Sequence, residues 1–107
     1  MNVVQRHKLG QAEAIKRIDG FLDELMAREP PAGVTIKNPQ KTWNGNRMDF
    51  SFSANRGFFG TTITGTMVVT DASVTLDSEL PGIIRTFVGE DAVRDVIARE
   101  LGRILEP

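Results

Sequence analysis

The chain has 107 residues, a length at which one hydrophobic core can form, and no repeat or linker divides it. Thirteen Lys and Arg residues stand against fourteen Asp and Glu residues, and the pI is near 5.8. A chain with this charge balance does not have the excess of basic residues that is typical of nucleic-acid-binding proteins. The absence of cysteine excludes disulfides, cysteine-bound metals and a thiol nucleophile. We predict a single domain, residues 1–107, that does not bind nucleic acid.

Hydropathy gives an expectation about location. No apolar run in the sequence approaches the ~18 residues of a membrane-spanning helix. The first residues also lack the apolar segment of a secretion signal. We therefore expect a cytoplasmic protein without a membrane span.

The first predicted elements are a short strand and a helix. Residues 2–9 begin with valines and continue with polar side chains, a pattern that favours an edge strand. Apolar residues then recur at helical spacing over residues 10–28, and Pro30 and Pro31 end this helix. Gly20 lies inside the predicted helix, and we expect it to allow close packing against the sheet.

Residues 33–43 are predicted to form the second strand, with Pro39 at a sheet edge or a bulge because proline has no N–H to donate. The Asn-Gly-Asn sequence that follows is a strong turn signal. A three-residue turn fits best, because it places Val34 and Ile36 on the same face as Met48. A two-residue turn is the alternative, and it would give that face to three other side chains: Lys37, Pro39 and Lys41.

The three-residue turn has two consequences for function. It brings Asn38, Gln40 and Thr42 to the inner face, where they either line a small pocket or, as we expect, lie at the wet end of the sheet. It leaves Trp43 outside, beside Arg47, as a surface aromatic and a cation–π partner.

Three runs in the middle of the chain alternate apolar and polar residues, as half-buried strands do. We predict a meander in which a loop at residues 55–58 places Phe50 opposite Ile63. The next loop places Met67 opposite Leu76. A one-residue slip would turn a whole strand over, and these pairings keep the apolar residues on one face.

A short helical turn and a long helix complete the predicted fold. Ile83, Ile84 and Phe87 follow Pro81 as a short apolar cluster, and an amphipathic helix runs from Glu90 to the end of the chain. The element order is βαββββα. We predict an α+β fold in which two helices pack on one face of an antiparallel sheet.

The sequence offers little catalytic chemistry. His7 is the only histidine, no serine lies in a Gly-x-Ser-x-Gly elbow, and no phosphate-binding glycine loop is present. We expect His7 to tie the first strand to its neighbour by a hydrogen bond. Alternating acidic residues on the outer sheet face are expected to keep it solvated. We predict no catalytic residue, no metal site and no cofactor.

Two sets of apolar residues are candidates for binding. The first is an exposed surface for a partner, a lipid or a granule, and it comprises Phe58, Ile83, Ile84 and Phe87. The second is the lining of a pocket between sheet and helices, and it comprises Phe50, Phe52, Ile63, Met67 and Ile97.

Several segments together carry a family resemblance: His7-Lys8-Leu9 before an alanine-rich helix start, Met48-Asp49-Phe50-Ser51-Phe52, Ile63-Thr64-Gly65 with Val68-Val69, and Leu101-Gly102-Arg103-Ile104-Leu105. The chain resembles the small polyhydroxyalkanoic acid system proteins, a family associated with bacterial polyester storage granules. The resemblance covers nearly the whole chain and supplies no active-site residue. It implies a cytoplasmic bacterial protein acting at or near these granules.

Three functional hypotheses follow. The leading one is a non-catalytic accessory or binding protein of polyhydroxyalkanoate granules, whose partners are the polyester surface or granule proteins. The alternative is a carrier of a small apolar or acyl ligand that resembles helix-grip domains. The third is an enzyme acting on hydroxyacyl thioesters or their polymers, with His7 or a strand carboxylate as the base. Homo-oligomerisation through a sheet edge or the threonine-rich face is compatible with all three.

Overall fold

The computed structural model describes residues 1–27, 35–87 and 89–107. Its strands form one antiparallel sheet in the order β1-β5-β4-β3-β2. The predicted α+β class and element order are confirmed, with the first helix divided in two. The elements are β1 (Asn2–Arg6), α1 (Gln11–Asp19), α2 (Phe21–Ala27), β2 (Thr35–Asn44), β3 (Arg47–Arg56), β4 (Phe59–Val69), β5 (Ser73–Ser78), α3 (Gly82–Phe87) and α4 (Glu90–Ile104).

The first helix is interrupted at Gly20, which separates α1 from α2. A Cβ atom at this glycine would come no closer than 3.7 Å, to the carbonyl oxygen of Arg17. The expectation that Gly20 allows a close approach to the sheet is therefore wrong, and the glycine instead ends α1. Pro30 and Pro31, the predicted end of the helix, lie outside the described residues.

The N-terminal helices α1 and α2 and the C-terminal helix α4 pack on the same face of the sheet, as predicted. The buried core joins side chains of α1, α2 and α4 to the inward residues of the strands. None of the described helices is long and apolar enough to cross a membrane. The largest side chains with almost no exposure are Ile18, Phe21, Met48, Met67, Val69, Val74, Leu76 and Leu101.

The β3–β4 turn is tighter than predicted. It consists of Gly57 and Phe58, and it places Phe52, not Phe50, opposite Ile63. Gly57 has a φ of 61°, which suits the first central position of a two-residue hairpin turn. The predicted register is wrong by two residues. Because side chains alternate with a period of two, this shift leaves every residue on its predicted face.

The β4–β5 register and the first strand agree with the predictions. Met67 lies opposite Leu76, and Val69 lies opposite Val74. β1 is an edge strand paired with β5, and its Val3 faces the core opposite Leu76. The apolar face is therefore continuous from β3 to β1.

The β2–β3 turn has two residues, Gly45 and Asn46, so the predicted three-residue turn is wrong. The two-residue turn places Trp43 opposite the buried Met48, on the helix-covered face. It also places Lys41 opposite Phe50, on that same face. The outward position expected for Trp43 is corrected, and its ring packs against the core.

A bulge in β2 nevertheless turns Ile36 inward, as predicted. The register shifts between Lys37 and Gln40, and Asn38 adopts a positive φ of 54°. Ile36 consequently lies opposite the buried Ala54 and packs against the core. Pro39 falls within this bulge on an edge strand, as expected. Val34 lies outside the described residues.

Candidate functional site

His7 is buried just beyond the end of β1 and uses both ring nitrogens. Its Nδ1 accepts a hydrogen bond from the backbone N–H of Leu9 at 3.2 Å. Nε2 must therefore carry the proton in the neutral ring, and it donates to the carbonyl oxygen of Thr70 at 3.0 Å. The predicted hydrogen bond between the first strand and its neighbour is present, because Thr70 lies in the β4–β5 turn. Among the described residues, no group of His, Asp and Glu is arranged to hold a metal ion.

A small apolar cavity lies between the sheet and α4. It has a volume of about 20 Å³, which exceeds the space that one water molecule needs but is far below the volume of ligand pockets. Four residues of the predicted lining border it, while Met67 does not. Other residues that border the cavity were not predicted, because in the sequence they appear only as part of the apolar periodicity of a helix or a strand. The bordering residues include Phe50, Phe52, Ile63 and Ile97 from the prediction, and Phe21, Leu80 and Val93 beyond it.

The ring of Phe50 lies against the backbone of β4 at Gly65. A Cβ atom on Gly65 would lie 2.6 Å from Cζ of Phe50 and 2.6 Å from the carbonyl oxygen of Asp77. The ring is also stacked on Phe52, with centroids 6.1 Å apart. The missing side chain of Gly65 therefore makes the space that the aromatic pair occupies.

Phe58 is the large apolar side chain with the greatest exposure among the described residues. It stands in the two-residue turn at the tip of the β3–β4 hairpin, and its ring is fully exposed. The other residues of the predicted apolar surface are Ile83, Ile84 and Phe87. Their backbone forms α3, but their side chains are outside the described part of the chain. Of the predicted apolar surface, the side chain of Phe58 is the one that lies within the described part of the chain.

The face of the sheet opposite the helices carries many hydroxyl groups. Two open grooves, of about 450 and 490 Å³, lie on this face and share Thr64 and Thr66. Gln40 and Thr42 lie opposite Ser51 and Asp49 on this side, so their predicted inward positions are wrong. Asn38 lies within the β2 bulge. We call six residues the hydroxyl face: Thr42, Ser51, Ser53, Thr62, Thr64 and Thr66.

Two carboxylates beside the hydroxyl face contact neighbouring donors, and a third, that of Glu79, lines the groove beside β5. Nε of Arg47 lies 3.1 Å from Oδ1 of Asp49, in an exposed ion pair. Nδ2 of Asn2 donates to Oδ1 of Asp77 at 2.6 Å. The ion pair with Arg47 offsets the charge of Asp49, whereas the neutral amide of Asn2 leaves the charge of Asp77 in place.

Trp43 takes part in a polar contact that the sequence did not reveal. Its Nε1 donates to Oδ1 of Asp19 at 2.8 Å, and Nζ of Lys41 lies 2.9 Å from the same oxygen. The hydrogen bond from Lys41, followed by that from Trp43, lowers the pKa of Asp19 below its ordinary value. The predicted cation–π pair of Trp43 with Arg47 is wrong, because Trp43 lies opposite Met48 on the helix-covered face, whereas Arg47 lies on the other face and pairs with Asp49.

Comparison with known proteins identifies one relationship. Residues 1–105 match the family described as "Putative polyhydroxyalkanoic acid system protein". No match was found among curated proteins or among solved structures.

Proposed function

Because the chain belongs to the polyhydroxyalkanoic acid system family, we propose that it is a non-catalytic accessory protein that binds the surface of bacterial polyhydroxyalkanoate granules in the cytoplasm. The observation that carries this proposal is the fully exposed ring of Phe58 at the tip of the β3–β4 hairpin. A phenylalanine in this position adds nothing to the core of its own domain. It is available to an apolar phase outside the protein.

The apolar area of the exposed ring of Phe58 can contribute to binding. Moving a fully exposed phenylalanine side chain out of water contributes about 1.5–3 kcal/mol. The two-residue turn places Phe58 at the tip of the hairpin, where its ring is fully exposed. An alkyl-rich polyester surface can therefore accept this ring without any rearrangement of the sheet.

The non-catalytic part of the proposal is supported by the environment of His7. Both ring nitrogens are engaged with backbone groups, one as acceptor and one as donor. A general base needs a free nitrogen within reach of the substrate. An enzyme with His7 as its base would require His7 to give up these two contacts, while a strand carboxylate as the base stays the other version of that hypothesis.

The carrier hypothesis is not favoured by the cavity between sheet and α4. The space enclosed by the described lining residues is about 20 Å³, whereas pockets for small ligands have roughly 300–1,000 Å³. An acyl chain would have to separate α4 from the sheet to enter. We therefore retain granule binding as the single proposal.

The test is binding of the purified protein to particles of amorphous poly(3-hydroxybutyrate), measured by co-sedimentation. We expect enrichment over an inert globular protein, and we expect Phe58→Ser to weaken binding about tenfold or more. Phe58→Trp is the matched control at the same position, because it keeps a large apolar ring and should bind like the wild type.

Two results would contradict the proposal. The first is a wild-type protein that sediments with the particles no better than the inert protein does. The second is equal binding by Phe58→Ser and Phe58→Trp, which would remove the hairpin tip from the binding site. Circular dichroism spectra of each variant would show that the fold is retained.

A further inference from the structure

We propose that the hydroxyl face of the sheet is the surface that contacts the ester groups of the polymer, with Phe58 as a separate apolar anchor. This inference rests on the proposed function, because it takes a polyester as the partner. It goes beyond that function by assigning the polar recognition to one face of β2, β3 and β4. The hydroxyl face comprises Thr42, Ser51, Ser53, Thr62, Thr64 and Thr66.

The first argument is hydrogen-bond complementarity. An ester group has acceptor oxygens and no donor, so a protein surface that contacts it must supply the donors. Each Ser or Thr hydroxyl has one O–H that can rotate toward an acceptor. Within the described part of the chain, none of the six hydroxyls forms a hydrogen bond to another protein group. These donors are free for a partner.

The second argument concerns the apolar part of the polymer. A threonine side chain presents a methyl group beside its hydroxyl, and the polymer presents alkyl groups beside its esters. Thr62, Thr64 and Thr66 place three such side chains along β4, at intervals of about 6.6–6.8 Å along the strand. Ser53 and Ser51 lie opposite Thr62 and Thr64 on β3. The face therefore offers mixed rows of donors and methyl groups.

The charged residues beside the hydroxyl face also bear on which partner it can contact. A carboxylate is an acceptor and would repel an ester oxygen, yet Asp49 and Asp77 lie in the row of Thr66. Arg47 pairs with Asp49, and Asn2 donates to Asp77. The ion pair offsets the charge of Asp49, whereas the neutral amide of Asn2 occupies one oxygen of Asp77 and leaves its charge in place. Glu79 lines the groove beside β5, and Lys37 lies opposite Ser53. Charges of both signs therefore border the hydroxyl face, which suits an uncharged polymer better than a strongly charged partner.

The shape of the face agrees with an extended partner. The two grooves meet along Thr64, Gly65 and Thr66, one toward β2 and β3 and the other toward β1 and β5. Both are open and shallow, so a polymer segment at a granule surface can lie across them. A compact ligand would find no enclosed site there.

The experiment compares Thr64→Val/Thr66→Val with the wild type in the co-sedimentation assay. Valine keeps the shape and strand preference of threonine but has no hydroxyl. Loss of two donor groups predicts binding weaker by about tenfold, since each hydrogen bond contributes about 0.5–1.5 kcal/mol. Ala92→Val, at an exposed position of α4, is the control for added apolar surface. Polystyrene particles, which have no ester, test the need for an acceptor.

The outcomes separate the two proposals. Weaker binding of the double variant to polyester, with unchanged binding of Ala92→Val and no such loss on polystyrene, supports the inference. Equal or tighter binding of the double variant overturns it, because simple apolar adsorption gains from valine, while granule binding through Phe58 stands. Failure of the wild type to bind overturns both proposals.

A second copy of the chain is the competing occupant of the hydroxyl face. Size-exclusion chromatography with light scattering would compare the wild type with Thr64→Lys, which places a charge at the centre of the face. A wild-type dimer that Thr64→Lys converts to a monomer would show that the face joins two copies, and the polymer assignment would be overturned. A wild-type monomer leaves the face available to the polymer and supports the inference.

Discussion

Replacing Gly65 by alanine should destabilise the protein, although the change adds one methyl group. That methyl would lie 2.6 Å from the carbonyl oxygen of Asp77 and 2.6 Å from Cζ of Phe50. The carbonyl belongs to the neighbouring strand and cannot rotate away. The ring of Phe50 is buried and stacked on Phe52, so its movement would disturb the core.

The expected loss follows from two opposing contributions. Overpacking a well-packed site costs about 1–3 kcal/mol. Replacing glycine by alanine also restricts the unfolded chain, which contributes about 0.4–1 kcal/mol in favour of folding. Because the new methyl would meet two atoms at 2.6 Å, one of them in the backbone, the overpacking cost should lie in the upper half of its range. We therefore expect Gly65→Ala to lower the free energy of unfolding by about 1–2 kcal/mol. For a domain of this size, the melting temperature should then fall by at least about 4 °C.

Thermal and urea unfolding monitored by circular dichroism would measure the effect, and two other glycines provide controls. Gly102→Ala lies within α4, where the added Cβ would be 3.9 Å from the side chain of Gln5, so we expect stabilisation of about 0.5–1 kcal/mol. Gly60→Ala would meet the side-chain oxygen of Asn55, which can rotate away, so its cost should be smaller than that of Gly65→Ala.

A Gly65→Ala protein as stable as the wild type would refute the packing argument. A double-mutant cycle with Phe50→Leu adds a second test, because the shorter side chain vacates part of the space that the new methyl needs. We expect the double variant to be less destabilised than the sum of the two single variants. Strict additivity would show that Phe50 does not cause the effect.

Two ionic contacts give further predictions. Asp19 has a lowered pKa in the folded state, so its contribution to stability is present above its unfolded pKa and is lost as the pH falls through the folded pKa. Because its side chain is 51% exposed and screened by water, this contribution should be at most about 1 kcal/mol. The fluorescence of Trp43 should report the titration, and Asp19→Asn should abolish it; a titration that persists in this variant would contradict the assignment. Arg103 binds Glu24 at 2.7 Å and Glu100 at 2.5 Å, and Glu100 is the buried partner. Arg103→Ala should therefore lower the melting temperature more than Glu24→Gln does, and equal effects would contradict this ranking.

The prediction of the site was incomplete for physical reasons. The threonine-rich outer face was expected from the sequence. The strand registers, which the sequence did not give correctly, decide that Ser51 and Ser53 lie opposite Thr64 and Thr62 and that Thr42 belongs to the same face. The contact of Trp43 with Asp19 joins β2 to the end of α1, and no local pattern links these two positions. Phe58 was identified from the sequence, but its full exposure depends on the two-residue turn. Homo-oligomerisation through a sheet edge or the threonine-rich face stays a prediction.

The sequence by itself determined the element types and, in β3, β4 and β5, the face to which each side chain belongs. Strand residues alternate with a period of two and helix residues recur with a period near 3.6, and burial imposes both periods locally. Met48 and Phe52 face the core both in the predicted register and in the observed one, because the two registers differ by two residues. This is why the predicted meander was correct in its apolar face while its β3–β4 register was wrong.

Only the tertiary structure decided the registers and the bulge. A shift of two residues keeps every face, so the hydrophobic pattern cannot distinguish the two turns; in the fold, the ring of Phe50 requires Gly65 opposite it. Ile36 and Trp43 differ by an odd number of positions, and a regular strand cannot turn both inward. The fold buries both against the core by inserting a bulge between Lys37 and Gln40, because packing two large apolar side chains outweighs one irregular step in an edge strand.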